Sequence, residues 1–345
     1  MDSQSSGNVT LEQVAQHAGV SLATASRVLN GSTRQVGEKL RKKVLASAGE
    51  LGYLPNASAQ ALARNSSSLV GLIVHDIADP YFSSIAAGVT GRAEEEGLVV
   101  VLGTTGRAPQ RETEILATLR AHRAKAVVLA GTRTVDEAGN RNLAAEIERF
   151  TAQGGRVACV SQGGLPADTV VPANREGAAD LARRLITMGH RRFAVLAGPP
   201  DLRTARDRLD GFHGALSEAG IEPAYHDVVH GAFTRDGGYA STQRLLAAGT
   251  DATCLFAVND VMATGAIAAL RDAGLRVPED LSVAGFDDIP TLRDLIPSLT
   301  TVRLPLEWMG QEAARLALAE APAAEPRRVP AGAEVVLRDS TAPPA

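Results

Sequence analysis

"VTLEQVAQHAGVSLATASRVLNG", Val9 to Gly31, reads as two short helices around a glycine turn. Thr10 and Gln13 stand at capping-box spacing, the threonine oxygen accepting the N3 amide while the glutamine reaches back, and Val9 with Val14 fits the hydrophobic staple. Leu11, Val14, Ala15 and Ala18 recur at i, i+3, i+4 and i+7, a core-facing stripe that Gly19 ends. Ser21 caps the second helix. On it Ala25 and Val28 face inward, whereas Leu22, Ala23, Ser26 and Arg27 face outward, an apolar tip and one arginine where a free-standing helix would be polar. Helix, tight turn, helix is the shape whose second helix lies in the DNA major groove. There a small apolar side chain can touch a thymine methyl and an arginine can pair with guanine O6 and N7. By pattern alone a plain helical hairpin with a solvated arginine fits equally well.

A third helix follows, with Leu40, Val44, Ala48 and Leu51 as its apolar stripe, Arg41, Lys42 and Lys43 around it, and Gly52 as its stop. "YLPNASAQALARNSSS", Tyr53 to Ser68, is weakly helical and too short to stand alone in water, so it reads as a conditional linker helix. The charge balance sets this head apart. Residues 1–64 carry 7 Lys and Arg against 4 Asp and Glu, while the remainder carries 28 against 35 within a whole-chain net charge of -4. A basic head on an acidic body points to a polyanion met by the head alone.

At 345 residues the chain exceeds one ordinary core and suits two or three domains. Cys159 and Cys254 lie in apolar runs without CxxC spacing, as buried thiols of a reducing compartment do. The N-terminus lacks a basic and an apolar region of a signal peptide, and no run of apolar residues is long enough to span a bilayer, so a cytoplasmic, membrane-free protein is expected.

From Leu69 the pattern alternates. Strand runs "LVGLIV", "LVVVLG", "AVVLAG" and "RVACVS" are separated by helices beginning near Phe82, Pro109 and Asn140; a second series holds "RFAVLAG", a strand ending at Val229, "TCLFAV" and "LSVAGF", with helices near Ala205, Asp236 and Asp260. This βα alternation predicts two parallel-sheet lobes in tandem. After Leu299 a helix carrying Trp308 and a last strand "AEVVLRDS" return across both lobes, and "EAPAAEPRRVPAG" reads as a surface loop.

In such sheets ligands bind beyond the carboxyl ends of the strands. With 3% aromatic residues, Tyr81 and Phe82 after "LIVHDIADP" and Phe233 after Val229 stand out as rings that could stack on a sugar or base, or simply plug the space between lobes. Arg208 and Asp287 could clamp vicinal hydroxyls. Asn259 could bind ligand or cap a helix, and His75 could be structural. No GxSxG elbow, Walker A, HExxH or GxGxxG motif is present, and "LGTTGRA" lacks the GK[ST] ending of a phosphate loop. No catalytic residue, metal site or cofactor is assigned. The one acid pair that an enzyme could use, Asp287 with Asp288, is explained as well by helix capping.

Taken together, "VTLEQVAQHAGVSLATASRVLNG", "VGEKLRKKV", "LGYLPNASAQALA", "GLIVHDIADPYFSSI", "GHRRFAVLAGP", "ARDRLDGF", "FAVNDVMATGAIAAL", "LSVAGFDD", "PSLTTV" and "RDSTAPP" resemble the lactose-repressor and galactose-repressor (LacI/GalR) family of transcription regulators along nearly the whole chain. The resemblance implies an α/β protein: a three-helix helix-turn-helix DNA-binding head over residues 1–54, a hinge helix and linker over 55–68, and a two-lobe periplasmic-binding-protein-like core of parallel sheets flanked by helices. The N-terminal lobe would take 69–173 plus about 304–331, and the C-terminal lobe 174–303 plus about 332–345. It implies DNA contacts from Thr10, Ser21, Leu22, Ala23, Thr24, Ser26, Arg27, Asn30, Tyr53, Asn56, Ala59 and Leu62, with Leu22, Ala23 and Arg27 reading bases and Leu62 wedging into the minor groove. Effector contacts would come from His75, Asp79, Tyr81, Phe82, Ser161, Arg208, Phe233, Asn259 and Asp287.

The expected partners are a palindromic double-stranded operator, a sugar or sugar derivative, and a second copy of the chain, since no leucine heptads of a tetramerising tail follow "DSTAPPA". A purine- or nucleoside-responsive regulator and a two-lobe solute-binding protein are the alternatives. Four departures stand out. Ala25 replaces a valine, Gly37 and Leu40 replace a Ser/Thr cap and a threonine, the turn "GSTRQ" is one residue longer than common, and Ser161 replaces an aspartate at the end of the fourth strand, which leaves the ligand's identity open.

Overall fold

The computed structural model describes residues 9–30, 36–54, 67–106, 108–223, 227–319 and 325–344. The turn 31–35 and the hinge stretch with Asn56, Ala59 and Leu62 lie outside the described residues. The chain divides into two compact units, Met1–Ser67 and Ser68–Ala345.

In the first unit α1 (Leu11–His17), α2 (Leu22–Asn30) and α3 (Glu38–Glu50) surround a small core of Val14, Ala15, Ala18, Ala25, Val44 and Ala48. The capping box forms as the spacing predicts: Thr10 Oγ1 accepts from the Gln13 amide at 3.3 Å, and Gln13 Oε1 accepts from the Thr10 amide at 2.8 Å. Gly19 turns the chain at φ +58°, a conformation that costs other residues a Cβ clash. At the start of α3, Gly37 offers no side chain to cap the helix.

The second unit holds two doubly wound sheets. Strands β1 (Leu69–Val74), β2 (Val99–Thr104), β3 (Ala126–Ala130), β4 (Arg156–Val160), β5 (Asp168–Pro172) and β11 (Arg328–Ala331) form a parallel sheet in the order β11-β5-β4-β3-β1-β2. Strands β6 (Phe193–Leu196), β7 (Val228–Val229), β8 (Cys254–Ala257) and β9 (Ser282–Ala284) form a second in the order β7-β6-β8-β9. In both, the second strand of the lobe lies outside the first and the third lies inside it. Each sheet therefore reverses direction beside its first strand, and that reversal opens a crevice at the carboxyl ends.

Helices α4 (Pro80–Glu95), α5 (Pro109–Ala121), α6 (Glu137–Ala152) and α11 (Leu306–Leu318) cover the first sheet; α7 (Asn174–Thr187), α8 (Arg203–Glu218), α9 (Arg235–Ala247) and α10 (Asp260–Asp272) cover the second. A Cβ on Gly88 would fall 2.0 Å from the Glu307 carbonyl oxygen, so glycine there lets α4 and α11 pack backbone to backbone.

Strands β5 and β11, helix α7, and strand β10 (Thr301–Arg303), which pairs antiparallel with β12 (Glu334–Val336), have no counterpart among the expected elements. One expectation is corrected outright. Four residues of the supposed surface loop, Arg328–Ala331, pair with β5 as the outer strand of the first sheet. Its Pro330 argues against a central strand but is tolerated at an edge, where a missing N–H leaves no ladder bond unmade.

Candidate functional sites: recognition helix and interlobe cleft

On α2 the Ser21 hydroxyl accepts from the Thr24 amide at 3.2 Å and lies 2.8 Å from the Thr24 hydroxyl, which fixes the helix start. Ala25 is buried, and Leu22, Ala23 and Arg27 are exposed on the opposite side, Leu22 by 50%. Thr24 and Ser26 are half-buried, and Thr10 is exposed but engaged in the capping box. Tyr53, expected to meet DNA, packs half-buried against the head core.

In the second unit, His75, Asp79, Tyr81, Phe82, Ser161, Arg208, Phe233, Asn259 and Asp287 all line one cavity between the two sheets' carboxyl ends. Gly131, Thr132, Val160, Gln162, Pro172, Leu202 and Thr204 complete the lining. Nothing in their residue types set these apart in the sequence. Val160 and Pro172 end β4 and β5, Gly131, Thr132 and Gln162 follow β3 and β4, and Leu202 and Thr204 stand at the start of α8.

The aromatic wall is built by α4. Asp79 caps that helix by accepting from the Tyr81 amide at 3.0 Å, which turns Tyr81 and Phe82 into the cleft. Their rings meet edge to face at 5.0 Å, and His75 stacks on Phe82 at 5.6 Å. Gly131 makes room for that imidazole, since a Cβ there would sit 2.3 Å from His75 Nε2. Burial, with the Asp287 carboxylate second, pushes the Tyr81 phenol well above its ordinary range, so the ring faces the cavity neutral. Across the cavity Phe233 lies over the backbone of Gly198.

Arg208 and Asp287 face the cavity as a pair, not as two separate ligand clamps. Arg208 donates from Nη2 to Asp287 Oδ1 at 2.6 Å, from Nε to Asn174 Oδ1 at 2.8 Å and from Nη1 to the Val258 carbonyl at 2.7 Å, with its plane over the Phe286 ring. Asp287 sits at φ +122°, a strained angle held by its amide's 2.8 Å bond to the Val302 carbonyl. Burial pushes its carboxyl up to about 6, against the opposing pull of Arg208.

Asn259 does cap α10, through Oδ1 accepting the Met262 amide at 3.0 Å, and it lines the cavity as well. Asp288 does not join Asp287 in an acid pair, nor does either residue cap a helix. The Asp288 carboxylate is buried away from the cavity lining, taking Arg303 Nε at 2.7 Å and Arg338 Nη2 at 2.6 Å. Among the described residues no group of three His, Cys, Asp or Glu side chains could hold a metal ion, and no helix is long and apolar enough to cross a membrane.

A helix-turn-helix head before a two-lobed core, with a ringed and charged cleft at its strand ends, defines a DNA-binding protein that answers to a small ligand. Residues 10–56 match the model of bacterial regulatory proteins of the lacI family, and residues 182–341 match a periplasmic binding protein-like domain. The chain is 35% identical over 312 residues to the HTH-type transcriptional regulator GalR of Escherichia coli (strain K12), covering 90% of this chain and 88% of that one. It is 36% identical over 322 residues to the HTH-type transcriptional regulator CelR of Thermobifida fusca, covering 89% and 90%. Among solved structures, the lac repressor dimer bound to operator and the anti-inducer ONPF aligns with a TM-score of 0.82 at 29% identity, over 97% of this chain and 100% of that one. The CelR–cellobiose complex aligns with a TM-score of 0.70 at 33% identity, over 96% and 100%. The chain belongs to the LacI family of DNA-binding transcriptional regulators.

Proposed function

We propose that this regulator binds a palindromic operator as a homodimer, with Leu22, Ala23 and Arg27 of each α2 reading bases in the major groove, and that a sugar or glycoside held in the interlobe cleft controls that binding. The observation that carries the effector half is the cavity's composition: rings for the apolar face of a sugar, with Arg208, Asp287, Asn259, Ser161 and Gln162 for its hydroxyls. Related regulators supply the class, since solved relatives are described with cellobiose and with ribose. Dimerisation follows the lac repressor dimer described on its operator. In this reading the protein works in the cytoplasm and turns nothing over. The two cavity carboxylates already have structural tasks, Asp79 as a helix cap and Asp287 in the Arg208 pair.

Two experiments test it. Fluorescence anisotropy on an upstream palindrome over a salt series reads phosphate contact as a steep fall in affinity with salt. In the same assay Arg27→Ala is expected to lose about 1–3 kcal/mol of discrimination against random DNA while leaving the melting temperature unchanged, because the side chain is exposed. A thermal-shift panel of cellobiose, ribose and nucleosides tests the effector. Stabilisation by a nucleoside alone, or product formed from a sugar, overturns that half of the reading.

A further inference from the structure

A charged pair stands behind Ser161 and Gln162 of the cleft wall. Arg133, just after β3, is 3% exposed, and its guanidinium grips both carboxylate oxygens of the buried Glu112 on α5 at 2.8 Å each. Its Nε donates to Ser161 Oγ at 3.2 Å. Arg133 does not line the cleft, but the residues it holds do. Its amide donates at 3.0 Å to Gln162 Oε1, and the same glutamine's NH2 donates at 2.7 Å to Thr204 Oγ1 in the opposite lobe.

The backbone continues the crossing. The Arg203 amide donates to the Arg133 carbonyl at 2.9 Å, the Val135 amide to the Asp201 carbonyl at 3.0 Å, and the Thr204 amide to Thr132 Oγ1 at 3.0 Å, with an antiparallel bridge between Thr134 and Leu202. Residues 132–135 of one lobe and 201–204 of the other are thereby joined by hydrogen bonds across the rim of the cleft. Arg203 and Thr204 open α8, which carries Arg208 one turn further on.

A buried ion pair adds little net stability over apolar packing of the same volume. What a planar guanidinium held on two edges does supply is direction. We infer that Arg133 is a positioning residue of the cleft: anchored by Glu112, it presents residues 132–135 as an edge on which residues 201–204 dock, so the lobes latch together through the chain's own hydrogen bonds. Effector and latch then favour the same closed arrangement. That last link rests on the effector reading given above, whereas the latch does not.

Hydrogen–deuterium exchange on the full chain without ligand tests the latch directly. The double variant Glu112→Leu with Arg133→Met removes the pair without stranding a buried charge, and Gln162→Leu removes the glutamine's two bonds of the crossing while leaving the pair intact. In both, amides of 132–135 and 201–204 are expected to exchange about tenfold faster or more, with amides inside the two sheets unchanged. Unchanged exchange at 201–204 in either folded variant overturns the inference, and if the double variant does not fold, Gln162→Leu decides alone. Titration with cellobiose and ribose reads the effector link as about tenfold weaker binding, in the double variant, of whichever sugar binds the parent. If neither sugar binds the parent, the effector reading fails and exchange still decides the latch.

Discussion

Each lobe of the core buries an arginine against a carboxylate, but the two pairs sit at different depths from the cleft. Arg208 and Asp287 of the C-terminal lobe line the cavity, whereas Arg133 and Glu112 of the N-terminal lobe lie behind its wall and act on Ser161 and Gln162 in front of them. The same two functional groups thus serve opposite ends. In the proposed reading, a pair in the wall gives a ligand a charge-assisted partner, whereas a pair behind it holds Ser161 and Gln162 without itself facing the cavity.

The largest effect that could break this comparison is on stability. Arg208→Ala strands the Asp287 carboxylate and removes the donor for Asn174 and Val258, and Arg133→Ala strands Glu112, so each is expected to cost about 3–5 kcal/mol in urea unfolding. Near-equal losses would leave the two pairs alike in energetics and different only in what they face. A loss below about 1 kcal/mol at Arg133 would mean that the hidden pair is not buried as described.

The next effect separates them by pH. Asp287, an acid whose folded value is raised to about 6 from 3.8, binds its proton more tightly folded than unfolded. Its contribution to stability is therefore fullest below pH 3.8 and is lost as pH rises through about 6. Ligand binding runs the other way. If the ionised carboxylate accepts the effector's hydroxyls, calorimetric affinity should fall toward about tenfold per pH unit below 6, and Asp287→Asn should flatten that profile.

The smallest effect sharpens the picture beneath the wall. Asp260, buried behind Asp287, is pushed up to about 8 by burial and by the Asp287 charge, so it is largely a neutral acid at pH 7, bonded to the Thr301 hydroxyl and the Ile289 amide. Asp260→Asn keeps the shape and the neutrality, and the Thr301 hydroxyl can turn to accept. Expected cost in the same unfolding assay is about 1 kcal/mol or less.

Those pairings explain why the molecule was legible in some places and not in others. The head could be read because its rules are local: Thr10 and Gln13 cap across three residues, and Gly19 turns the chain on its own. The longer buried strands could be read from their apolar runs. By contrast β5, β10 and β11 carry partly exposed residues and make no continuous apolar run, and β11 contains a proline.

At the cleft, the rule that ligands gather at strand ends, joined to the family resemblance, named nine residues that the structure brings around one cavity. Partnerships were hidden because they join distant positions. Glu112 and Arg133 are 21 residues apart, and Asp288 reaches Arg338 across 50, so nothing in "GFDD" showed that its two aspartates take separate arginines.

The chain leaves or rejoins the elements of the first sheet at 172–174, 303–306 and 331–334, in the last two by way of the β10–β12 pair. A single tether would let two bodies swing in any direction, whereas three restrict how they can turn against each other. Sequence changes within those short passages would then alter how far and how freely the cleft opens, without touching a ligand or a base.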